Sequence, residues 1–463
     1  MRPVTEYFAG EERYEDLNTA QAVEHLAAAI RCRTVNNAER SLTDVEFDRL
    51  HELIRKSFPA VMAAGNFETV GRSILITIPG TDESLRPCLY MSHQDVVPVI
   101  PGTEKDWTYD AFSGAVENGF IWGRGTLDIK QMVFGILEAA EYLLSRGQRF
   151  RRTAYFAFGD DEETLNQGAL ALAELLQSRG VRLEFVLDEG GGILEDGACF
   201  GAPGKCVSLI DMMEKGYADL ELSVESAGGH SSRPWGGTSL EHLAKAIAAV
   251  AEHPFALRLP EAMAVLFEAL SPSITEEPLR TLVQDVRGNA DAIAAWCAGK
   301  PETFAYVTTT IAPTVIEGGS AACNVLPQNM RAVINFRLNE GDCVEELLKH
   351  AGEVIADDTV NLRYLQANNP SATARSDGLG YHALTEVLSE FYPGIAFVPG
   401  MTAGATDARR YECICDTCLR CSPFISESAD VLRGVHGTDE RISVRSYMQG
   451  IRVLIRLMEI ANL

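Results

Sequence analysis

Between residues 73 and 187 short apolar runs alternate with helical patterns, and this rhythm constrains the fold more than any other feature of the chain. The runs 73–78, 87–91, 153–158 and 183–187 have strand length, while over 132–145 and 168–179 the apolar residues recur at helical spacing. Strands and helices in alternation predict βαβ units, that is, an α/β fold with a mostly parallel sheet covered by helices. Helical patterns at 19–31 and 44–58 precede this region. The rhythm resumes near Ala383 with a helix to Phe391, a loop at 400–407 and a last helix over 443–460.

Past Lys215 the order changes. A half-buried strand at 217–224 is followed by a helix at 239–252, strands at 304–311 and 330–338, a helix at 344–356 and a strand at 360–365. That βαββαβ order predicts a ferredoxin-like α+β domain inserted into the larger one. Since 463 residues exceed one compact core of ordinary size, the expected division is a catalytic domain of 1–213 and 370–463 around an inserted lid or dimerisation domain of 214–369. The helical stretch 253–300 is surplus to the βαββαβ order. Its Met263, Val265, Leu266, Phe267 and Leu270 suit a core stripe better than a lipid site.

Charge and composition narrow the function. A net charge of -25 would repel nucleic acid and anionic membrane, and no basic patch offsets it. No run of about 18 apolar residues exists to span a bilayer. The first residues carry Glu6, Glu11, Glu12, Glu15 and Asp16 without an apolar core, which predicts a cytoplasmic location and reduced thiols for the eleven cysteines. Cys413, Cys415, Cys418 and Cys421 fall close enough together to hold zinc or an iron–sulfur cluster, against the plainer reading of small core residues.

His93, Asp95, Asp128, Glu162, Glu163, Asp188, Glu189 and His436 fall at or just beyond the ends of expected strands, or in the loops that follow. In an open α/β sheet ligands bind outside the carboxyl ends of the strands, where residues distant in sequence converge. Singly, each of these is more often a surface or core group. Together, two imidazoles and several carboxylates suit a pair of zinc ions, since a carboxylate can bridge two metals.

Five segments carry a resemblance. His-Gln-Asp-Val-Val-Pro at 93–98, Gly-Arg-Gly-Thr-Leu-Asp-Ile-Lys at 123–130, Gly-Asp-Asp-Glu-Glu at 159–163, Leu-Asp-Glu-Gly-Gly at 187–191 and Val-His-Gly-Thr-Asp-Glu at 435–440 resemble, in order, the motifs of the co-catalytic zinc peptidases. That family includes glutamate carboxypeptidase, aminoacylase and succinyl-diaminopimelate desuccinylase. The chain is most similar in flavour to carboxypeptidase S and the N-fatty-acyl-amino-acid synthase/hydrolase. The resemblance implies two Zn2+, replaceable by Co2+ or Mn2+, with Asp128 bridging, His93 and Asp188 (or Glu189) on one ion, and Glu163 and His436 on the other. Asp95 would orient His93, and Glu162 would serve as general base.

In the inserted domain Gly-Gly-His-Ser-Ser-Arg-Pro at 228–234 is similar to a motif whose histidine, here His230, approaches the oxyanion, often from a partner subunit, which implies a homodimer. Asn324 and Arg337 resemble positions near the substrate carboxylate, although a structural ion pair competes for Arg337. Gly404 and Thr406, in Gly-Ala-Thr-Asp, resemble a substrate loop. The pattern is broken by Ser92, by Asp160, and by Thr-Leu-Asn-Gln-Gly-Ala after Glu163, which lacks the usual glycine pair.

The function implied is cleavage of an amide bond next to a free carboxylate, as in a carboxypeptidase or dipeptidase acting on small peptides. The alternatives are an N-acyl-amino-acid hydrolase and, at a distance, an inactive scaffold relative. An iron–sulfur protein built on the cysteine cluster would be coloured.

Overall fold

The runs 73–78, 87–91 and 153–158 are apolar on both faces because the strands they form are covered on both sides. In the computed structural model, which describes residues 6, 8–36, 40–164, 166–194, 196–425 and 434–463, they lie in one nine-stranded sheet. Its order is Asn66–Val70, Ser73–Ile78, Ala154–Gly159, Cys88–His93, Phe185–Asp188, Cys418–Arg420, Val207–Glu214 and Ala396–Thr402, with Gly192–Leu194 also against Val207–Glu214. The sheet is mixed. Ala154–Gly159, Cys88–His93, Phe185–Asp188 and Cys418–Arg420 run parallel, and antiparallel pairs flank them. One face packs on the helices Thr19–Ile30, Lys130–Ser145, Leu379–Phe391 and Val444–Asn462, and the other on Gln167–Ser178. Ser443 caps the last helix by accepting from the Ser446 N–H at 3.1 Å, a contact of about 1 kcal/mol.

A second, smaller lobe carries an antiparallel sheet ordered Thr310–Gly318, Asn329–Leu338, Gly216–Glu225 and Val360–Asn368. Alternation puts Ala218, Leu220, Leu222 and Val224 on its inner face with Ala332, Ile334, Phe336 and Leu338, under the helices Ser239–Glu252 and Val344–Ile355. The molecule is therefore bilobed, an α/β lobe bearing an inserted β-rich lobe. The stretch 253–300 packs back on the first lobe: Met263, Leu266, Phe267 and Leu270 form a core with Phe200, Val207 and Val398. These side chains are core, not lipid site.

Two details correct the expectations from sequence, and a third agrees with the plainer of two. The expected strand at 304–311 begins only at Thr310, because Pro301 opens a short helix, Pro301–Phe304. The loop expected at 400–407 follows a strand, Ala396–Thr402, whose Pro399 and Gly400 disguise it; it lies at the edge of the sheet, where proline is tolerated. Cys413 is exposed and Cys415, Cys418 and Cys421 are buried, and among the described residues no metal-ligand cluster includes them.

Candidate metal centre and active site

His93 ends the strand Cys88–His93, Glu162 and Glu163 follow Ala154–Gly159, and Glu189 follows Phe185–Asp188. The parallel strands thus deliver all four to one edge of the sheet. Asp128 arrives from the loop before the helix Lys130–Ser145, and the Asp128–Ile129 peptide bond is cis. His436 arrives from the C-terminal segment with a left-handed φ of 59°.

Two groups of ligand atoms result, His93, Asp128 and Glu189 in one and Asp128, Glu163 and His436 in the other, with the atoms of each group within 4.8 Å of one another. His93 Nε2 lies 3.1 Å from Asp128 Oδ1 and 3.2 Å from Glu189 Oε1. His436 Nε2 lies 2.8 Å from Asp128 Oδ2 and 3.1 Å from Glu163 Oε1. Asp128 therefore turns one oxygen to each group, as a bridging carboxylate must. Of the adjacent acids, Glu189 faces His93. Asp188 is turned away, accepting from the N–H groups of Glu189 and Ala408, both at 2.8 Å. Neighbouring residues leaving a strand point to opposite sides, so only one of them joins the cluster.

The electrostatics ask for cations. Two like charges about 4 Å apart repel by roughly 4 kcal/mol at an effective dielectric constant of about 20, and this site gathers Asp128, Glu162, Glu163 and Glu189. Burial pushes the Glu162 carboxyl well above its ordinary range and Glu189 up to about 7. Burial opposes a charge on His93, yet Glu189, Asp128 and Asp95 outweigh it and hold the imidazole well above its usual value. Hydrogen bonds to Asp128 and Glu163 raise His436 to about 10. Each imidazole Nε2 faces two carboxylates, the arrangement a divalent ion would bridge. Nitrogen and oxygen donors in this arrangement fit a pair of zinc ions or related divalent metals.

Supporting groups fix the ligands. His93 Nδ1 is 2.9 Å from the Asp95 carbonyl oxygen and 3.3 Å from its Oδ1. The Asp95 carboxylate also accepts the N–H groups of Glu162 at 3.1 Å and Glu163 at 3.2 Å. One aspartate thus orients an imidazole and both glutamates. Glu162 Oε2 is 4.0 Å from His93 Nε2 and belongs to neither ligand group. Sequence reasoning missed Glu440 and Arg124. Glu440, fully buried, accepts from Arg124 Nη1 at 2.5 Å and from the N–H groups of Gly125 at 2.9 Å and Leu127 at 2.8 Å, mooring the Asp128 loop. Both stood inside recognised motifs, but charge there drew attention to metal rather than to mooring.

The remaining candidates lie apart. His230 is exposed on the ribbon Gly229–His230, which pairs with Val325–Leu326, and its Nδ1 bonds to Ser232 Oγ at 2.8 Å. Asn324 is exposed, its carbonyl accepting from Ser231 N–H at 2.9 Å. Arg337 stacks 4.7 Å over the Tyr217 ring and forms no ion pair among the described residues. Gly404 is half-buried. Thr406 is buried, and its N–H and hydroxyl both donate to Glu214 Oε2, at 2.8 and 3.0 Å, so its amide is not open to a substrate. After Glu163, Asn166 adopts the left-handed φ of 52° and donates to Asp407 Oδ1 at 3.0 Å, closing the turn without the glycine pair.

A cavity of about 350 Å³ opens beside Asp128 and Glu189. Leu127, Ile129, Leu194, Leu209, Met401 and Phe424 are among the residues of its wall, and no lysine, arginine or histidine lines it among the described residues.

Comparison with known proteins agrees with this geometry. The family model described as peptidase family M20/M25/M40 matches residues 89–460. The chain is 35% identical to the N-fatty-acyl-amino acid synthase/hydrolase PM20D1 of Xenopus tropicalis over 447 residues, covering 95% of this chain and 85% of that protein. It is 28% identical to carboxypeptidase S of Saccharomyces cerevisiae over 489 residues, covering 93% of this chain and 82% of that protein. Among solved structures, an M20 family metallo-carboxypeptidase from Sulfolobus solfataricus shares the fold, with a TM-score of 0.69 and 18% identity, covering 95% of this chain and 98% of that one. Human carnosine dipeptidase 1 does so with a TM-score of 0.63 and 15% identity, covering 96% and 97%.

Proposed function

Because the chain belongs to the M20/M25/M40 peptidase family and is a zinc-dependent amidohydrolase of that family, we propose that it hydrolyses N-acyl amino acids, releasing a carboxylic acid and a free amino acid. The observation that carries this reading is the cavity beside Asp128 and Glu189, whose apolar wall suits an acyl chain. At about 0.8 kcal/mol per buried methylene, a chain of six would gain roughly 5 kcal/mol there. The relatives named as N-fatty-acyl-amino acid synthase/hydrolases support the same substrate class. Cleavage of a C-terminal peptide bond is the second reading, favoured by the relatives named carboxypeptidase S. Both substrates present the same amide and carboxylate and differ on the acyl side.

We assign His93 and Glu189 to one ion, Glu163 and His436 to the other, and Asp128 to both. Bound there, a zinc pair would supply Lewis acidity and bring the pKa of water towards neutrality. Glu162, not needed as a ligand, takes the proton from the attacking water and delivers it to the leaving nitrogen. Asp95 holds Glu162 in place through its N–H. Arg337 is a guanidinium without a carboxylate partner among the described residues and is suited to grip that of the substrate. His230, exposed on the inserted lobe, would reach the oxyanion in a second copy of the chain, which makes the working unit a homodimer.

Glu162→Gln tests the assignment. It should lower kcat by a factor of at least about 100 while the bound zinc is unchanged; loss of metal would make Glu162 a ligand, and full activity would leave the base elsewhere. A panel of N-acyl amino acids and dipeptides ranks the two substrate readings.

A further inference from the structure

One wall of the cavity holds a group that an apolar pocket does not need. Leu209 and Asp211 alternate on the same face of the strand Val207–Glu214, and both line the cavity. Asp211 is 5% exposed. Its Oδ2 accepts from the Gly191 N–H at 3.1 Å and the Thr402 hydroxyl at 2.7 Å, and both of those residues also line the cavity. Its Oδ1 has no hydrogen-bond partner among the described residues.

The obvious counter-ion is engaged elsewhere. Arg420 pairs with Asp211 in the sheet, but its guanidinium turns to Glu214, to the Thr406 hydroxyl and to the Cys418 carbonyl. No salt bridge to Asp211 forms among the described residues. Burial accordingly pushes the Asp211 carboxyl up to about 6. A buried polar atom without a partner carries a desolvation cost that a ligand donor would offset. Gly191 stands two residues beyond Glu189, so the two Cα atoms are at most about 7 Å apart. Asp211 therefore stands a short way down the pocket from the reacting carbonyl.

We propose that Asp211 is the specificity residue of the acyl cavity and that the preferred acyl group carries a hydrogen-bond donor, a hydroxyl or an ammonium, a few bonds from the scissile carbonyl. This rests on the N-acyl-amino-acid reading of the site. Oδ1 is already buried against Gly400, and a plain chain brings it no donor. A diacid chain would add a carboxylate to a wall that already holds Asp128, Glu189 and Asp211, with no cation among its described lining residues.

The test uses the zinc-loaded protein with N-decanoyl-phenylalanine and its derivatives bearing a mid-chain hydroxyl or amine at successive positions. The wild type should turn over the best donor-bearing probe with kcat/KM at least about tenfold above the plain chain. Asp211→Ala should erase that advantage for both donors. Asp211→Asn, nearly isosteric, should erase it for the amine, and it carries the test if the alanine variant does not fold. A purely structural role for Asp211, holding Gly191 and Thr402, would lower all rates together and leave the ratios unmoved. Equal turnover of plain and donor-bearing probes by the wild type, or ratios unchanged in both variants, would overturn the proposal while leaving the N-acyl reading intact. Failure to cleave any N-acyl amino acid, with dipeptides cleaved, would overturn both.

Discussion

Burial lifts the Glu440 carboxyl to about 7, so above that pH replacing Glu440 by glutamine removes one charge and almost no volume. The carboxylate is fully buried and receives Arg124 Nη1 at 2.5 Å, Gly125 N–H at 2.9 Å and Leu127 N–H at 2.8 Å, with the Asp128 N–H at 3.3 Å. Glutamine keeps one accepting oxygen and turns an NH2 group towards a donor. Arg124, 2% exposed, is left without its counter-charge. Removing one partner of a buried ion pair costs roughly 3–5 kcal/mol, a large part of a stability of about 5–15 kcal/mol. The loop carrying Asp128 also loses its mooring, and loss of such outer contacts lowers metal affinity by about 10–100-fold. Urea unfolding with and without zinc measures the first effect, and competition against a chromogenic chelator the second. A change below about 1 kcal/mol, the range of a surface pair, together with unaltered zinc affinity, would refute the reasoning.

Protonation gives a second prediction. Burial raises Glu189 from 4.5 to about 7, and hydrogen bonds to Asp128 and Glu163 raise His436 from 6.5 to about 10, so both bind protons more tightly folded than unfolded. Metal-free protein should lose stability as pH rises from about 4.5 to about 7, and zinc should stabilise it more at the upper end of that window; above it Lys215 and Lys130, lowered by burial from 10.5 to about 7 and about 8, act in the opposite sense, so a metal-free Tm that rises between pH 4.5 and 7 would contradict it. Asp128 is shifted down and acts in the opposite sense, but only below its ordinary 3.8. Asp95→Asn should lower kcat by roughly 10–100-fold, since it weakens the hold on His93, Glu162 and Glu163; steady-state kinetics checks this. His230→Ala should lower kcat by about 100–1,000-fold, the loss of one oxyanion donor, with zinc retained. Mixing it with Glu162→Gln should restore measurable turnover if His230 serves a second copy, and no recovery would place the oxyanion group within one subunit.

The sequence revealed the site's raw materials better than their arrangement. The strand at 73–78 and the helix at 239–252 were legible to the residue because their apolar periodicity is uninterrupted. Val207–Glu214 went unread because Asp211 and Glu214 interrupt its apolar pattern, and a buried charge looks like a surface one until its surroundings are known. Cys418–Arg420 is three residues long and holds the fully buried Arg420, so its pattern carries no signal. Glu189 and Asp188 were indistinguishable because the choice depends on which way a side chain leaves the strand end. Nor did the sequence disclose that 253–300 packs on the first lobe, where the neighbouring Tyr306 reaches the cavity, since that depends on contacts distant in the chain.

Metal content by plasma mass spectrometry on dialysed protein is the direct check that five side chains hold two metal ions. About two zinc ions per chain are expected, falling towards one when Glu189 or His436 is replaced by alanine, with release of amino acid from N-acyl substrates lost in step. Stoichiometric zinc untouched by either substitution, or hydrolysis that persists after chelation has removed all metal, would contradict it.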